Sequence, residues 1–199
     1  MSLRTISVYL ATVLIAALAT LQAADTSRPM AETFAKKIAL INQHADRTPV
    51  SARRTTLTES EVNSWFAFRA QPLLPTGLTQ PKVVIVGNGK LMGSATVDLE
   101  AIGRQRGSGG SLDVWSYLGG RLPLNVTGVL HTKDGQGRFD LQAADISGVP
   151  VPKTLLQELL SFYTRTAEKP QGLRIDDPFA LPAGIKQIEV GQGQAVVVQ

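Results

Sequence analysis

The chain of 199 residues lacks cysteine, has only two histidines and is poor in aromatic residues, which make up 6% of it. Without cysteine, disulfides, iron–sulfur clusters and cysteine-ligated zinc are excluded. His44 and His131 are too few for the zinc sites that use two or three histidines with further ligands. We therefore expect no metal and no cofactor, and a fold whose stability comes from its apolar core.

Long hydrophobic runs are scarce as well, and the most prominent one lies at the N-terminus. Arg4 precedes an uncharged, mainly apolar stretch over residues 6–21, and small residues Ala23 and Ala24 follow it. This order is typical of a secretory signal peptide, which we predict over residues 1–23. An uncleaved membrane anchor is the alternative, although a run of about 16 residues is shorter than the ~20 needed to span a bilayer. The predicted location is exported: periplasmic, or membrane-associated on the outer side of the inner membrane.

The excess of positive charge is small. The chain has 20 Lys and Arg against 16 Asp and Glu, a formal net charge of +4. Nucleic acid is a poor partner for an exported protein, whereas an anionic membrane surface is compatible with a basic one. A charge of this size is also what solubility alone requires.

The remaining sequence predicts an N-terminal helical segment over residues 24–52 and a single α+β domain over residues 53–199. Met30, Phe34 and Ile38 recur at helical spacing in the first segment. Thr58 and Glu61 have the spacing of a capping box, which predicts the start of a second helix.

Turn signals and alternating apolar residues predict the rest of the domain. Gly87-Asn88-Gly89 and Asp134-Gly135 are typical of β-hairpins, and Gly191-Gln192-Gly193 joins two further strands at the end of the chain. A helix with a broad apolar stripe is predicted from about Pro152 to Arg165. We expect a curved antiparallel sheet of about six strands wrapped around this long apolar helix.

The sequence contains no arrangement of residues that points to catalysis. Gly-x-Ser-x-Gly is absent, and neither histidine lies next to a serine elbow. Asp176-Asp177 precedes a proline, and Asp140 and Asp145 fall on one predicted strand, where carboxylates are usually solvated. The stretch Gly103–Gly110 lacks the Lys-Ser/Thr that completes a phosphate-binding loop. We therefore predict that the protein is not an enzyme.

Two groups of residues are candidates for binding. Apolar and aromatic side chains of the predicted helices can line a ligand cavity, and these are Trp65, Phe66, Leu155, Leu159, Phe162 and Tyr163. Arginines beside aromatic residues suit contact with a membrane or a lipid headgroup, and these are Arg104, Arg106, Trp115, Tyr117 and Arg121. The alternatives are an ordinary packed core for the first group and a solvated loop for the second.

Several local phrases of the chain resemble small exported bacterial proteins related to the tubular lipid-binding (TULIP) group, including its LmeA-like phospholipid-binding members. The phrases are the helix start Thr58–Val62, the hairpin through Gly87-Asn88-Gly89, the corner Gly148–Pro152 and the ending from Leu181 to Gln199. The likeness extends over residues 54–199. It implies a curved sheet around a helix, with apolar side chains that hold lipid tails, and it implies no catalytic residues. The chain is shorter than a closed tube of that group requires, so a shallow groove is implied instead.

These observations predict an exported, non-enzymatic module that binds a lipid or another apolar small molecule, at an anionic membrane surface. The alternative is a structural or protein-interaction domain of the cell envelope with a fully packed core. Neither interpretation includes a metal, a cofactor or a nucleic-acid partner.

Overall fold

The computed structural model describes residues 26–46, 52–101, 120–165 and 170–199. The described chain has an α+β architecture with antiparallel sheets, as predicted. The helices are α1 (Arg28–Ala45), α2 (Glu59–Phe68), a 3₁₀ helix (Gln71–Leu73) and α3 (Lys153–Thr164). The strands are β1 (Arg54–Thr58), β2 (Leu78–Gly87), β3 (Lys90–Asp98), β4 (Arg121–Lys133), β5 (Gln136–Ile146), β6 (Val149–Pro150), β7 (Phe179–Ala180), β8 (Gln187–Gly191) and β9 (Gln194–Val198).

The large sheet has the strand order β2-β3-β4-β5-β6, and β7 pairs with the opposite end of β5 from β6. Its hairpins turn through residues with left-handed backbone: Asn88 and Gly89 have φ of 53° and 80°, and Asp134 and Gly135 have φ of 51° and 78°. Two successive left-handed residues form the turn whose twist matches that of the flanking strands. The two hairpins predicted from these turns are therefore confirmed.

A second, three-stranded sheet has the order β1-β9-β8. The hairpin predicted at the end of the chain belongs to this sheet and not to the large one: β9 pairs along its whole length with β1, from Arg54 opposite Val198 to Thr58 opposite Gln194. The strand β1 leads directly into α2 and has no hairpin partner next to it in sequence. It must therefore pair with a strand that is distant in sequence, and the alternation of apolar and polar residues does not identify that strand.

The small sheet lies across the turn end of the large one. Gly135 donates its backbone N–H to the Lys186 carbonyl at 2.8 Å, and Gly193 donates to the Ile85 carbonyl at 2.8 Å. The Thr132 hydroxyl donates to the Ile188 carbonyl and accepts from the Ile188 N–H, both at 2.9 Å. These bonds fix β8 against the turns of the β2–β3 and β4–β5 hairpins.

Each sheet is covered by a helix that forms its own apolar core. The helix α1 packs on the small sheet, where Ile41, Leu181, Ile185 and Val197 are buried together. The helix α3 packs on the large sheet, where the buried cluster consists of Val97, Leu99, Ile146, Val151 and Leu155. The coarse prediction of an α+β fold with a large antiparallel sheet is therefore confirmed, whereas the wrapping of a curved sheet around a long helix stays a prediction.

Polar contacts join α1 to α2, and side-chain hydrogen bonds cap the N-terminus of each helix. The capping box of α2 is present, since Thr58 Oγ1 accepts from the Glu61 N–H at 3.2 Å and Glu61 Oε2 accepts from the Thr58 N–H at 2.9 Å. Lys37 of α1 contacts both Glu61 oxygens, at 2.7 and 2.8 Å. Ser64, with no exposed surface, accepts from the backbone N–H of Ser27, the residue that caps α1.

Candidate functional site

The side chains of the large sheet that face α3 define its inner face. Strand pairing places apolar residues on this face in rows across the sheet: Val97 lies opposite Leu122, Ala95 opposite Leu124, and Leu124 opposite Ile146. Since alternate residues of a strand point to one side, the same face continues toward the turn end of the sheet. The inner face is therefore apolar over nearly the full length of its strands.

The helix α3 covers only one half of this face. Strand β4 has 13 residues, so it extends over roughly 40 Å at about 3.3 Å per residue. The helix α3 has 12 residues and a length of about 18 Å, and a helix is only about 10 Å wide. Whatever its direction across the strands, such a helix is too short to cover them from end to end.

The half nearer the turns we call the open half. Ile85, which lies here opposite Leu91 and is bonded to α2, is buried, but five large apolar side chains are only half-buried, in contrast to the buried cluster under α3. They are Leu91, Val126, Leu130, Phe139 and Leu141. Both halves are thus apolar, but α3 covers only one of them.

Two glycines shape the open half. A Cβ on Gly128 would lie 2.3 Å from Cζ of Phe139, so the Phe139 ring lies directly over the Gly128 backbone. A Cβ on Gly137 would lie 2.7 Å from the Phe179 ring. The two rings therefore occupy the space that side chains at Gly128 and Gly137 would need.

The structure divides the predicted ligand-binding residues between two places. Leu155 belongs to the buried cluster on the large sheet, and Leu159 and Tyr163 pack against that cluster. Phe162 contacts Tyr163 edge-on, with ring centroids 5.2 Å apart. Leu155, Leu159 and Tyr163 thus form the α3 side of the inner face, and Phe162 lies next to Tyr163.

Trp65 and Phe66 lie elsewhere, on α2. The Trp65 ring is 5.7 Å from Phe34 of α1 on one side and 5.7 Å from Phe66 on the other. They therefore belong to the contact between α1 and α2, and the structure does not bring them together with the α3 residues.

Of the five residues predicted to contact a membrane or headgroup, Arg104, Arg106, Trp115 and Tyr117 lie outside the described residues, as does the predicted signal peptide over residues 1–23. Arg121 begins β4 opposite Asp98, its side chain is 73% exposed, and its Nε lies 3.8 Å from a carboxylate oxygen of Asp98.

The half-buried residues of the open half are the part of the site that the sequence analysis missed. Alternation already placed Leu130, Phe139 and Leu141 on apolar strand faces. The signal that could have singled them out is the mismatch between long strands and a single short helix that follows them.

A second feature is an open groove of about 650 Å³ between the β4–β5 hairpin and β8. Its walls include His131, Lys133, Arg138 and Glu189. His131 Nε2 lies 3.0 Å from a carboxylate oxygen of Asp140, and the other carboxylate oxygen lies 3.0 Å from Nε of Arg138. Three of these four charged groups, those of His131, Arg138 and Glu189, thus already have partners.

The chemistry available in this groove is limited by those partners. Thr132 provides the only hydroxyl among the lining residues, and it is bonded to the backbone of Ile188 in both directions. Arg54 donates to Glu189, and this hydrogen bond, followed by the attraction between the charges, holds the pKa of the Glu189 carboxyl below its usual value. The Thr132 hydroxyl and most of the charged groups in the groove are therefore already engaged in hydrogen bonds or ion pairs.

Comparisons with known proteins identify no relative: no family model, no curated protein and no solved structure matches the chain. Within the described ranges, no cluster of three or more His, Cys, Asp or Glu residues is placed to hold a metal ion. In the same part of the chain, none of the helices has both the length and the apolar character required to cross a bilayer.

Proposed function

We propose that the protein is an exported, non-enzymatic module that binds a lipid or a similar apolar ligand, and that the apolar part of the ligand lies on the open half beside α3. The observation that carries the proposal is the open half itself. Five large apolar side chains are half-buried on the same face on which Val97 of β3 and Ile146 of β5 are buried further along their strands.

An acyl chain fits the chemistry of this surface. The open half offers aliphatic and aromatic side chains from three adjacent strands, with Leu91 and Leu141 both opposite Gly128. Each methylene that leaves water for such a surface contributes about 0.8 kcal/mol. A chain that covers the surface would therefore remain bound without hydrogen bonds, which suits a ligand with an apolar tail.

The helix α3 supplies a fixed wall beside the open half. Gln157 donates to the Leu173 carbonyl at 2.9 Å and accepts from the Ile175 N–H at 2.8 Å. Near the end of α3, the Tyr163 hydroxyl donates to the Thr76 carbonyl at 2.8 Å. Because α3 is fastened at Gln157, near its middle, and at Tyr163, near its C-terminal end, a ligand can enter and leave the open half while α3 stays in place.

Native mass spectrometry, with lipid extraction of protein purified from its own host, tests the proposal. We expect an adduct with the mass of a lipid, and its loss in Leu141→Gln, which makes the open half polar and leaves the cluster under α3 intact. Leu155→Gln is the matched control, since it places the same amide in the buried cluster and should unfold the protein.

Two results would contradict the proposal. One is protein that is always empty and takes up no fatty acid or phospholipid. The other is Leu141→Gln that unfolds as readily as Leu155→Gln, since the open half would then be ordinary core. That second result would favour the alternative, a structural or protein-interaction domain of the cell envelope.

A further inference from the structure

The opposite face of the large sheet, which we call the outer face, carries an apolar patch on the β2–β3 hairpin. Val84 and Met92 are direct cross-strand partners, and they are 48% and 44% exposed. Val86, which follows Val84 by two residues at a register shift, is 41% exposed. The three side chains are neighbours on one surface, whereas apolar residues exposed singly would need no explanation.

The register that turns these residues outward is fixed by α2. Asn63 accepts from the Val83 N–H and donates to the Val83 carbonyl, both at 2.8 Å, so it pairs with β2 as another strand would. Glu59 accepts from the Ile85 N–H at 2.7 Å. A slip of one residue would break these bonds and turn Val84 inward. The apolar patch is thus held on the outside by the same contacts that keep Ile85 inside.

These contacts also close the free edge of β2. Val83 and Ile85 have their outward backbone groups bonded to α2 and to Gly193, and Pro81 has no N–H to offer. A further strand, from another protein or from a second copy, therefore finds no free outward N–H group between Pro81 and Ile85. A partner of this hairpin must approach its outer face.

The charges around the patch indicate which partner fits. Lys82 precedes Val84 by two residues, and Lys90 precedes Met92 by two residues, so both lysines share the outer face with the apolar side chains. From residue 82 to residue 94 the hairpin contains two lysines and no carboxylate. The surface is therefore apolar in the middle and cationic at its margins.

We infer that this hairpin face docks the protein on an anionic lipid surface. Val84, Val86 and Met92 enter the interfacial region, and Lys82 and Lys90 contact the phosphates of the headgroups. A second copy is the poorer partner, since two-fold packing of this face would bring the lysine margins of both copies together. The docking face is separate from the open half, because the two lie on opposite sides of the large sheet.

Cosedimentation of the purified chain with vesicles tests the inference. We expect binding to phosphatidylcholine mixed with phosphatidylglycerol and much weaker binding to phosphatidylcholine alone. Lys82→Gln with Lys90→Gln should weaken the partition coefficient roughly 30-fold at low salt, since each lysine near an anionic surface accounts for about five-fold. Lys36→Gln with Lys186→Gln is the matched control, because it removes the same charge from α1 and from the segment before β8.

A second variant tests the apolar part. Val84→Thr with Met92→Thr keeps residues that favour strands and should weaken vesicle binding about as strongly as the lysine variant. Equal binding by all variants, or equal loss in the control, would overturn the inference. So would a dimer, seen by analytical ultracentrifugation, that Met92→Thr dissociates, since the patch would then be an interface between copies. Leu141→Gln should leave vesicle binding unchanged, so failure of the ligand proposal and failure of this one can be distinguished.

Discussion

The side chain of Asn63 bonds the edge strand β2 as a neighbouring strand would, and its removal should lower the stability of the protein. It is 7% exposed and makes two hydrogen bonds of 2.8 Å with the backbone of Val83. In Asn63→Ala both backbone groups of Val83 lose their partner. A hydrogen bond contributes about 1 kcal/mol net, and a buried group without a partner costs roughly 1–3 kcal/mol.

Val83 is itself only half-buried, so water can reach part of the vacated space. We therefore expect Asn63→Ala to lower the free energy of unfolding by about 2–4 kcal/mol. For a domain of this size that corresponds to a fall in Tm of roughly 4–16 °C. The exposed edge should also make the variant more prone to aggregate, because β2 would then offer free backbone groups to other chains.

Urea denaturation followed by far-UV circular dichroism measures the effect. Asn63→Asp sharpens the test: its carboxylate can accept from the Val83 N–H but turns an oxygen toward the Val83 carbonyl, so we expect it to be at least as unstable as the alanine variant. Asn125→Ala is the control, since the Asn125 side chain is exposed and donates one hydrogen bond of 3.0 Å to the Asp145 carboxylate. This variant should change the free energy of unfolding by less than about 0.5 kcal/mol. The reasoning is refuted if the two alanine variants lose the same stability.

Two further predictions concern a glycine and an ion pair. Gly128→Ala should destabilise the protein by about 1–3 kcal/mol, because the new Cβ would meet the Phe139 ring and lie 2.7 Å from the Asp140 carbonyl oxygen. Gly93→Ala, whose Cβ meets only an atom 4.0 Å away, should be tolerated in the same urea assay; equal effects would show that the ring and the β5 backbone both move aside freely. The Arg54 hydrogen bond lowers the pKa of Glu189, so this carboxylate stabilises the fold above its unfolded pKa and that contribution disappears as the pH falls through the lowered value. Carbon-13 NMR should show the Glu189 pKa rising toward normal in Arg54→Gln, and an unchanged value would mean that the pair is not formed in solution.

Local structure follows from the sequence wherever the controlling interactions span only a few residues. Asn88-Gly89 and Asp134-Gly135 specify their hairpin turns because few other residues adopt two successive left-handed conformations. Thr58 and Glu61 specify the start of α2 because each bonds the backbone of the other three residues away. These features could be predicted, and the structure confirms them.

The partners of the strands could not be predicted in the same way. The pairing of β1 with β9 joins Arg54 to Val198, and the bonds of Asn63 to β2 join residues 20 positions apart. In the sequence Asn63 is one polar residue in a short helix. Its role exists only because the fold places α2 along the edge of β2.

The same limit applies to the candidate site. Leu155 and Leu141 both fall in periodic apolar patterns, yet one is in the buried core and the other is half-buried on the open half. The sequence by itself determined which side chains are apolar, which turns form and where α2 begins, since those properties depend on chemistry within a few residues. Only the tertiary structure decided which apolar residues are covered, because cover depends on where the short helix α3 comes to lie on strands that are longer than the helix.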